Sequence, residues 1–218
     1  MRSKEADHYL AEIQLRKTPY FRDISGINLR IDKDVYPTGQ LGELFYEALA
    51  DTLEGVNPGT RVMDYGTGSG FLAIATAKLG ACHVLALDNS QAALACAQFN
   101  VIQNIVESIV ELRHSNELDA LKPYEKFDLI VAGLPWEDAI PQNTLENSFY
   151  DASFKMRHAI FKQGRVRLTN NGRILMTYAK RIQDKYPIEQ FIEGFRYKII
   201  KEKNIKDEPH YIYCITPD

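Results

Sequence analysis

Along this chain the apolar positions change period several times, and each change marks an element. Ile27, Leu29 and Ile31 alternate with polar residues, the two-residue repeat of a half-buried strand. Pro37-Thr38-Gly39 then breaks the chain. Leu41, Leu44, Phe45, Ala48 and Leu49 recur at helical spacing and predict an amphipathic helix over 41–53, which Asn57-Pro58-Gly59 ends as a turn. Residues 1–22 are polar with scattered apolar positions (Tyr9, Leu10, Ile13, Leu15), which suggests a short helix.

From Thr60 onward short apolar runs alternate with helical stretches. The runs predict strands at 61–64, 83–87, 109–112, 127–132 and 173–178. Helices are expected at 71–79, at 90–103 with Ser90 as N-cap, and at about 154–168. Asn170-Asn171-Gly172 reads as the stop signal of the last one. Such alternation means a parallel sheet with helices on both faces. The tail differs: a helix at 188–193 precedes strands at 195–201 and 211–216. Their connection, 202–209, is too short for a crossover helix, so these two strands should form an antiparallel hairpin.

Composition narrows the class. A chain of 218 residues suits one domain or one domain with a small appendage, and buries roughly 70% of its unfolded surface without staples. A net charge of −3 argues against a surface that is basic throughout and built for nucleic acid. The three cysteines, Cys82, Cys96 and Cys214, are odd in number and lack CxxC spacing, so buried reduced thiols are expected and no disulfide framework or zinc site. The five histidines show no ligand spacing, and no metal is expected. Residues 1–15 carry no apolar signal core, and no run approaches the roughly 18 apolar residues of a membrane span, so a soluble, cytoplasmic chain is expected.

The strongest chemical signal is Val62-Met63-Asp64-Tyr65-Gly66-Thr67-Gly68-Ser69-Gly70, between the first strand of the parallel sheet and its following helix. Glycines there let the backbone turn sharply and approach a ligand closely. The spacing is not the GxGxxG of dinucleotide sites, because the third glycine comes one residue early. The acid ahead of the glycines, Asp64, suits a ligand with an ammonium and a sulfonium better than one with a pyrophosphate. Asp88 ends the second strand, where an acid can accept hydrogen bonds from two ribose hydroxyls, and Asn89 follows it. After the third strand, Ser115-Asn116 can bring an amide near an adenine amino group.

Asp64-x-Gly66-x-Gly68-x-Gly70, with Asp88 and the hairpin tail, resembles the class I S-adenosylmethionine-dependent methyltransferases over about residues 25–218. It is most similar to the small-domain branch that includes the release-factor glutamine methyltransferases, the ribosomal protein L11 methyltransferases and several RNA base N-methyltransferases. The resemblance implies a Rossmann-like, seven-stranded, mostly parallel sheet with an antiparallel C-terminal strand and helices on both faces. It also implies a cofactor site at Asp64, Gly66, Thr67, Gly68, Gly70, Asp88, Asn89 and Asn116. Residues 1–55 would then be an extension that covers the cofactor, with Tyr36-Pro37-Thr38-Gly39-Gln40 as a wall, and 56–218 the binding domain.

For the acceptor, the resemblance points to Val131-Ala132-Gly133-Leu134-Pro135-Trp136 at the end of the fourth strand. The N-methyltransferase branch carries Asn or Asp, two prolines and an aromatic residue there. This chain keeps Pro135 and Trp136 and has Gly133 and Leu134 in the first two positions, so the side-chain acceptor is missing and a backbone carbonyl is left to orient an amine. Trp136, the only tryptophan, is expected as a pocket wall. Glu137 and Asp138 are able to attract a cationic acceptor but more often would be exposed loop carboxylates. Phe149, Tyr150 and Asp151 would begin the next helix and close over the acceptor. Lys180, Arg181 and Lys185, and Lys198, Lys201, Lys203 and Lys206, read as solvated surface rather than an RNA-binding module. Methyl transfer to a protein side-chain or small-molecule nitrogen is therefore the leading expectation. An RNA base N-methyltransferase and a non-catalytic S-adenosylmethionine-binding protein are the alternatives.

Overall fold

The computed structural model describes residues 4–55 and 57–218. Residues 1–3 of the expected first helix and Val56, where the expected second segment begins, lie outside the described residues. The elements run in the order α1 (Lys4–Gln14), β1 (Tyr20–Ile24), β2 (Ile27–Ile31), α2 (Gln40–Leu53), β3 (Arg61–Tyr65), α3 (Phe71–Lys78), β4 (His83–Asp88), α4 (Gln91–Gln103), β5 (Val110–His114) and β6 (Phe127–Ala132). They continue with α5 (Lys155–Arg167), β7 (Leu168–Ala179), α6 (Lys180–Lys185), β8 (Phe195–Ile205) and β9 (Glu208–Pro217).

Seven strands form one sheet in the order β5-β4-β3-β6-β7-β9-β8. The five central and left-hand strands are parallel, and β9 runs antiparallel to both neighbours, β7 and β8. This is the α/β arrangement anticipated above: the chain's last strand is the antiparallel one, inserted inside the edge strand β8. The β8–β9 connection is tighter than expected. Both strands extend until only Lys206 and Asp207 remain between them, each with positive φ, the conformation of a primed two-residue hairpin turn.

Burial explains the strand sequences. Val62-Met63 and Val84-Leu85-Ala86-Leu87 are fully buried because helices cover both faces, so their apolar runs are continuous rather than alternating. Their side chains divide between two cores. Val62, Val84, Val131 and Leu175 pack with α2 and α3 on one face, while Met63, Leu85, Ile130 and Met176 pack with α5 on the other. α3 is buried almost all round, which is why its sequence is apolar at nearly every position.

Four local expectations are corrected. β1 was not foreseen; it pairs with β2 as a separate two-stranded hairpin. Asn170-Asn171-Gly172 does not stop a helix but sits in a bulge of β7, since Phe127 pairs with Leu168 and Leu129 already with Arg173. Gly172 is needed there because a Cβ would lie 2.9 Å from the Phe127 carbonyl oxygen. The helix expected at 188–193 is a single 3-10 turn, Ile188–Gln190. Cys82 is exposed, whereas Cys96 and Cys214 are buried as expected. Among the described residues, no helix is long and apolar enough to cross a membrane.

Candidate active site

The carboxyl ends of β3, β4, β6 and β7 open into a cavity of about 1280 Å³ that extends under α1 and the start of α2. Its head is the glycine loop. Gly66, Gly68 and Gly70 have φ of +80°, +56° and +85°, so the chain curls through the left-handed region three times in five residues. The Gly66 and Thr67 N–H groups both donate to the Leu87 carbonyl at 2.9 Å, and the Gly68 N–H donates to Asp88 Oδ2 at 2.9 Å. Asp88 Oδ1 accepts from the Ser90 N–H at 2.9 Å. Burial pushes the Asp88 carboxyl above its ordinary range, against the pull of those backbone donors. Ser90 caps α4 by accepting from the Ala93 N–H at 3.2 Å, as anticipated.

Among the expected cofactor residues, Gly66, Thr67, Gly68, Asp88, Asn89 and Asn116 line the cavity. Asp64 and Gly70 do not. Asp64 is fully buried behind the loop, where Oδ2 accepts from Thr67 Oγ1 at 2.7 Å and from the Ala73 N–H at 3.0 Å. It braces the loop, because its side chain alternates into the α3 side of the sheet. Gly70 caps α3 against α4, where a Cβ would come within 3.2 Å of the Ala97 backbone.

The wall formed by 36–40 is in place. Tyr36, Thr38, Gly39 and Gln40 line the cavity, and Thr38 Oγ1 lies 3.2 Å from Ser69 Oγ. Pro37 does not; it lines a smaller neighbouring pocket. Asn100 joins β2 to the glycine loop and was not foreseen. Buried on α4, it accepts from the Arg30 N–H at 2.7 Å and donates to the Ser69 carbonyl at 2.8 Å. A polar side chain between Ala97 and Val101 on the buried face of a helix was the signal that marked it.

At the far end stand Gly133, Leu134, Pro135 and Trp136, all lining the cavity. Trp136 packs against His210, ring centroids 5.6 Å apart, with the Arg181 guanidinium 5.9 Å from its centroid. Glu137 corrects two expectations at once. It is buried rather than exposed, and it draws in Arg181 Nη1 at 2.7 Å and Lys185 Nζ at 3.1 Å, two cations expected in solvent. Arg181 Nε also meets Glu208 at 3.2 Å. The Asp138 carboxylate accepts from the Ser153 N–H at 2.7 Å. Two of the four tail lysines have acidic partners on α2: Lys201 pairs with Asp51 at 2.8 Å and Lys203 with Glu43 at 3.5 Å.

Phe149, Tyr150 and Asp151 do line the cavity but precede the helix, which begins at Lys155. They form a strap: the Glu137 N–H donates to the Phe149 carbonyl at 3.2 Å and the Asp151 N–H to the Glu137 carbonyl at 2.9 Å. Tyr150 Oη donates to Asp7 at 2.7 Å, which fastens α1 over this end. Arg157 is fully buried and went unnoticed in the sequence, where nothing separates it from its charged helix neighbours. Its guanidinium lies 4.5 Å from the Phe154 ring centroid, 5.0 Å from that of Tyr178 and 4.9 Å from that of Phe191, and donates to the Pro135 carbonyl at 3.1 Å. Two cavity-lining hydroxyls, Tyr65 Oη and Thr177 Oγ1, are buried without a hydrogen-bond partner among the described residues.

Residues 37–134 match the family model of ribosomal protein L11 methyltransferase (PrmA). The chain is 49% identical over 79 residues to the ribosomal protein L11 methyltransferase of Heliobacterium modesticaldum, covering 36% of this chain and 24% of that protein. It is 39% identical over 99 residues to the enzyme of the same name from Listeria monocytogenes, covering 45% and 29%. The chain thus spans about a quarter of the length of the curated relatives it matches. Over most of its length it has the fold of the ribosomal protein L11 methylase of Lactobacillus delbrueckii subsp. bulgaricus, with a TM-score of 0.60, 24% identity and 87% and 85% of the two chains covered. The Thermus thermophilus 16S rRNA N2 G1207 methyltransferase, solved with AdoMet and guanosine, gives a TM-score of 0.67 at 20% identity, covering 91% of this chain and 50% of that one.

Proposed function

We propose that this chain binds S-adenosylmethionine at the glycine loop and transfers its methyl group to the nitrogen of a protein side chain or small-molecule amine. The observation that carries this reading is the Gly66–Gly68 loop tied to Asp88 at one end of a cavity whose other end is walled by Trp136. The donor set suits the cofactor. Gly66 and Gly68 offer backbone without Cβ, Asp88 offers carboxylate oxygens for ribose hydroxyls, and Asn89 and Asn116 stand at the rim for the base. Residues 1–55 serve as the cover, with Tyr36 and Thr38 on its inner side.

When bound, the cofactor would supply an electrophilic methyl carried on sulfur, and the Gly66–Gly68 loop with Asp88 would hold it for approach by the acceptor nitrogen. The chain's own task is positioning. Trp136 and His210 form one wall for the acceptor, and Arg157 fixes the Pro135 carbonyl so that the loop carrying Trp136 keeps its shape. The strap of Phe149 and Tyr150 with α1 limits water at the reacting end.

The matched relatives carry the name of a protein methyltransferase, and acids of α2 pair with Lys201 and Lys203 in the tail; both support a protein or small-molecule acceptor over RNA. Incubating the chain with methyl-labelled S-adenosylmethionine and fractionated cell extract tests the reading. Label in protein or amine metabolites is expected. Label in RNA would move the acceptor to a base, and tight binding with no labelled product would make the chain a non-catalytic binder.

A further inference from the structure

We infer that Thr177 supplies the hydrogen-bond acceptor for the nitrogen at the point of methyl transfer, in place of the side chain that Gly133 lacks. The inference rests on the cofactor-and-nitrogen reading above and names a residue for it.

Thr177 lies on β7 and is 3% exposed, yet it lines the cavity. Its Oγ1 is buried and has no partner among the described residues. A buried hydroxyl left unpaired is destabilising, so one that borders a cavity calls for an explanation in that cavity.

Register gives the explanation. Ala132 pairs with Met176, so Gly133 and Thr177 are the next residues on adjacent parallel strands, at the carboxyl edge where the cavity opens. Strand alternation directs both to the same face. Val131 and Leu175, two residues before each, belong to the core beneath α2 and α3. A Cβ on Gly133 would meet nothing nearer than Leu72 Cδ1 of α3, at 3.9 Å. The space that a side chain at 133 would fill is therefore open, and the neighbouring strand brings a hydroxyl to that side of the sheet.

A threonine oxygen accepts an N–H and so turns an amine's remaining lone pair away from itself. That is the positioning an N-methyl transfer needs and a glycine cannot give.

The test uses an analogue in which an amine-bearing carbon replaces the methylsulfonium (sinefungin), because its amine probes this point directly. Calorimetry gives the ratio of its affinity to that of S-adenosylhomocysteine, which has no group there. Thr177→Val, isosteric and β-branched, is expected to lower that ratio about tenfold or more, since a hydrogen bond to a charged amine is lost. Thr177→Ser should keep it near wild type. An unchanged ratio in Thr177→Val, or an equal loss of both ligands, overturns the assignment. Thr177→Ala gives the same comparison should the valine variant fail to fold. If neither ligand binds the wild-type chain, the cofactor reading itself fails, a result distinct from the first.

Discussion

The Gly68 N–H donates to Asp88 Oδ2 at 2.9 Å, so the middle of the glycine loop hangs from the end of the neighbouring strand. Asp88 accepts from Ser90 with its other oxygen and so holds the loop and the first turn of α4 together. Asp88→Ala should therefore act twice. Binding of S-adenosylhomocysteine, read by calorimetry, should weaken by about 1–3 kcal/mol as ribose contacts are lost. Stability in urea should fall by about 1–2 kcal/mol as two backbone donors lose their acceptor. Asp88→Asn, which keeps one oxygen, should fall between. Unchanged affinity in the alanine variant refutes the ribose assignment.

Asp64 predicts a pH dependence of folding. Its burial pushes the carboxyl up to about 7, opposed by the Thr67 hydroxyl and the Ala73 N–H and reinforced by the Asp88 charge. In the unfolded chain the same group ionises near 3.9. Between about pH 4 and pH 7 the folded chain keeps a proton that the unfolded chain has lost. Its contribution to stability is thus full below pH 4, declines as pH rises to 7, and is flat above. The whole change is roughly 4 kcal/mol. Asp64→Asn stays neutral throughout, so urea midpoints at pH 5 and pH 8 should differ less in the variant than in the parent. Equal differences would show that another group sets the slope.

The regular part of this architecture was legible because periodicity reports burial. The runs at β3, β4 and β6, the amphipathic α2 and the Ser90 cap all follow from local chemistry. What escaped depends on distant partners. Nothing near residues 169–172 says that Phe127 will pair with Leu168 across a bulge. The bracing bonds of Asp64 to Thr67 and the Ala73 N–H depend on strand alternation turning it into the α3 side of the sheet, which its place in the motif does not reveal. Glu137, Arg181 and Lys185 look like loop and surface charges until α6 folds back onto the Trp136 loop.

Arg157 is a buried cation whose side chain donates to the Pro135 carbonyl through Nη2, with Nε and Nη1 lacking partners among the described residues. Burial lowers its pKa, against the attraction of Tyr178 and Asp151. A buried cation with two of its three guanidinium nitrogens unpartnered is costly, and an apolar side chain of similar length removes that cost. Arg157→Met should therefore keep or raise the melting temperature, while turnover falls because the Pro135 carbonyl is no longer held. Affinity for S-adenosylhomocysteine should hold. A loss of more than about 2 kcal/mol in urea would mean that the guanidinium stabilises the fold, contrary to that balance.

Trp136 and Glu137 are adjacent but should separate in their effects. Trp136 is half-buried against His210 and Arg181 and faces the cavity, so Trp136→Ala should cut turnover well before it weakens cofactor binding. Equal losses in both would make the ring a structural residue. Glu137 is buried with two cations that are each partly in solvent, so its pairs are worth less than a fully enclosed bridge. Glu137→Gln should cost about 2 kcal/mol in urea, because Arg181 keeps Glu208 while Lys185 loses its carboxylate. Added salt should shrink the difference between variant and parent only slightly, since the shared oxygen acceptors lie out of the solvent. If the two proteins became equally stable in high salt, the Glu137 cluster would be a screened surface network, and the anchoring of the Trp136 loop would have to come from the Phe149–Asp151 strap alone.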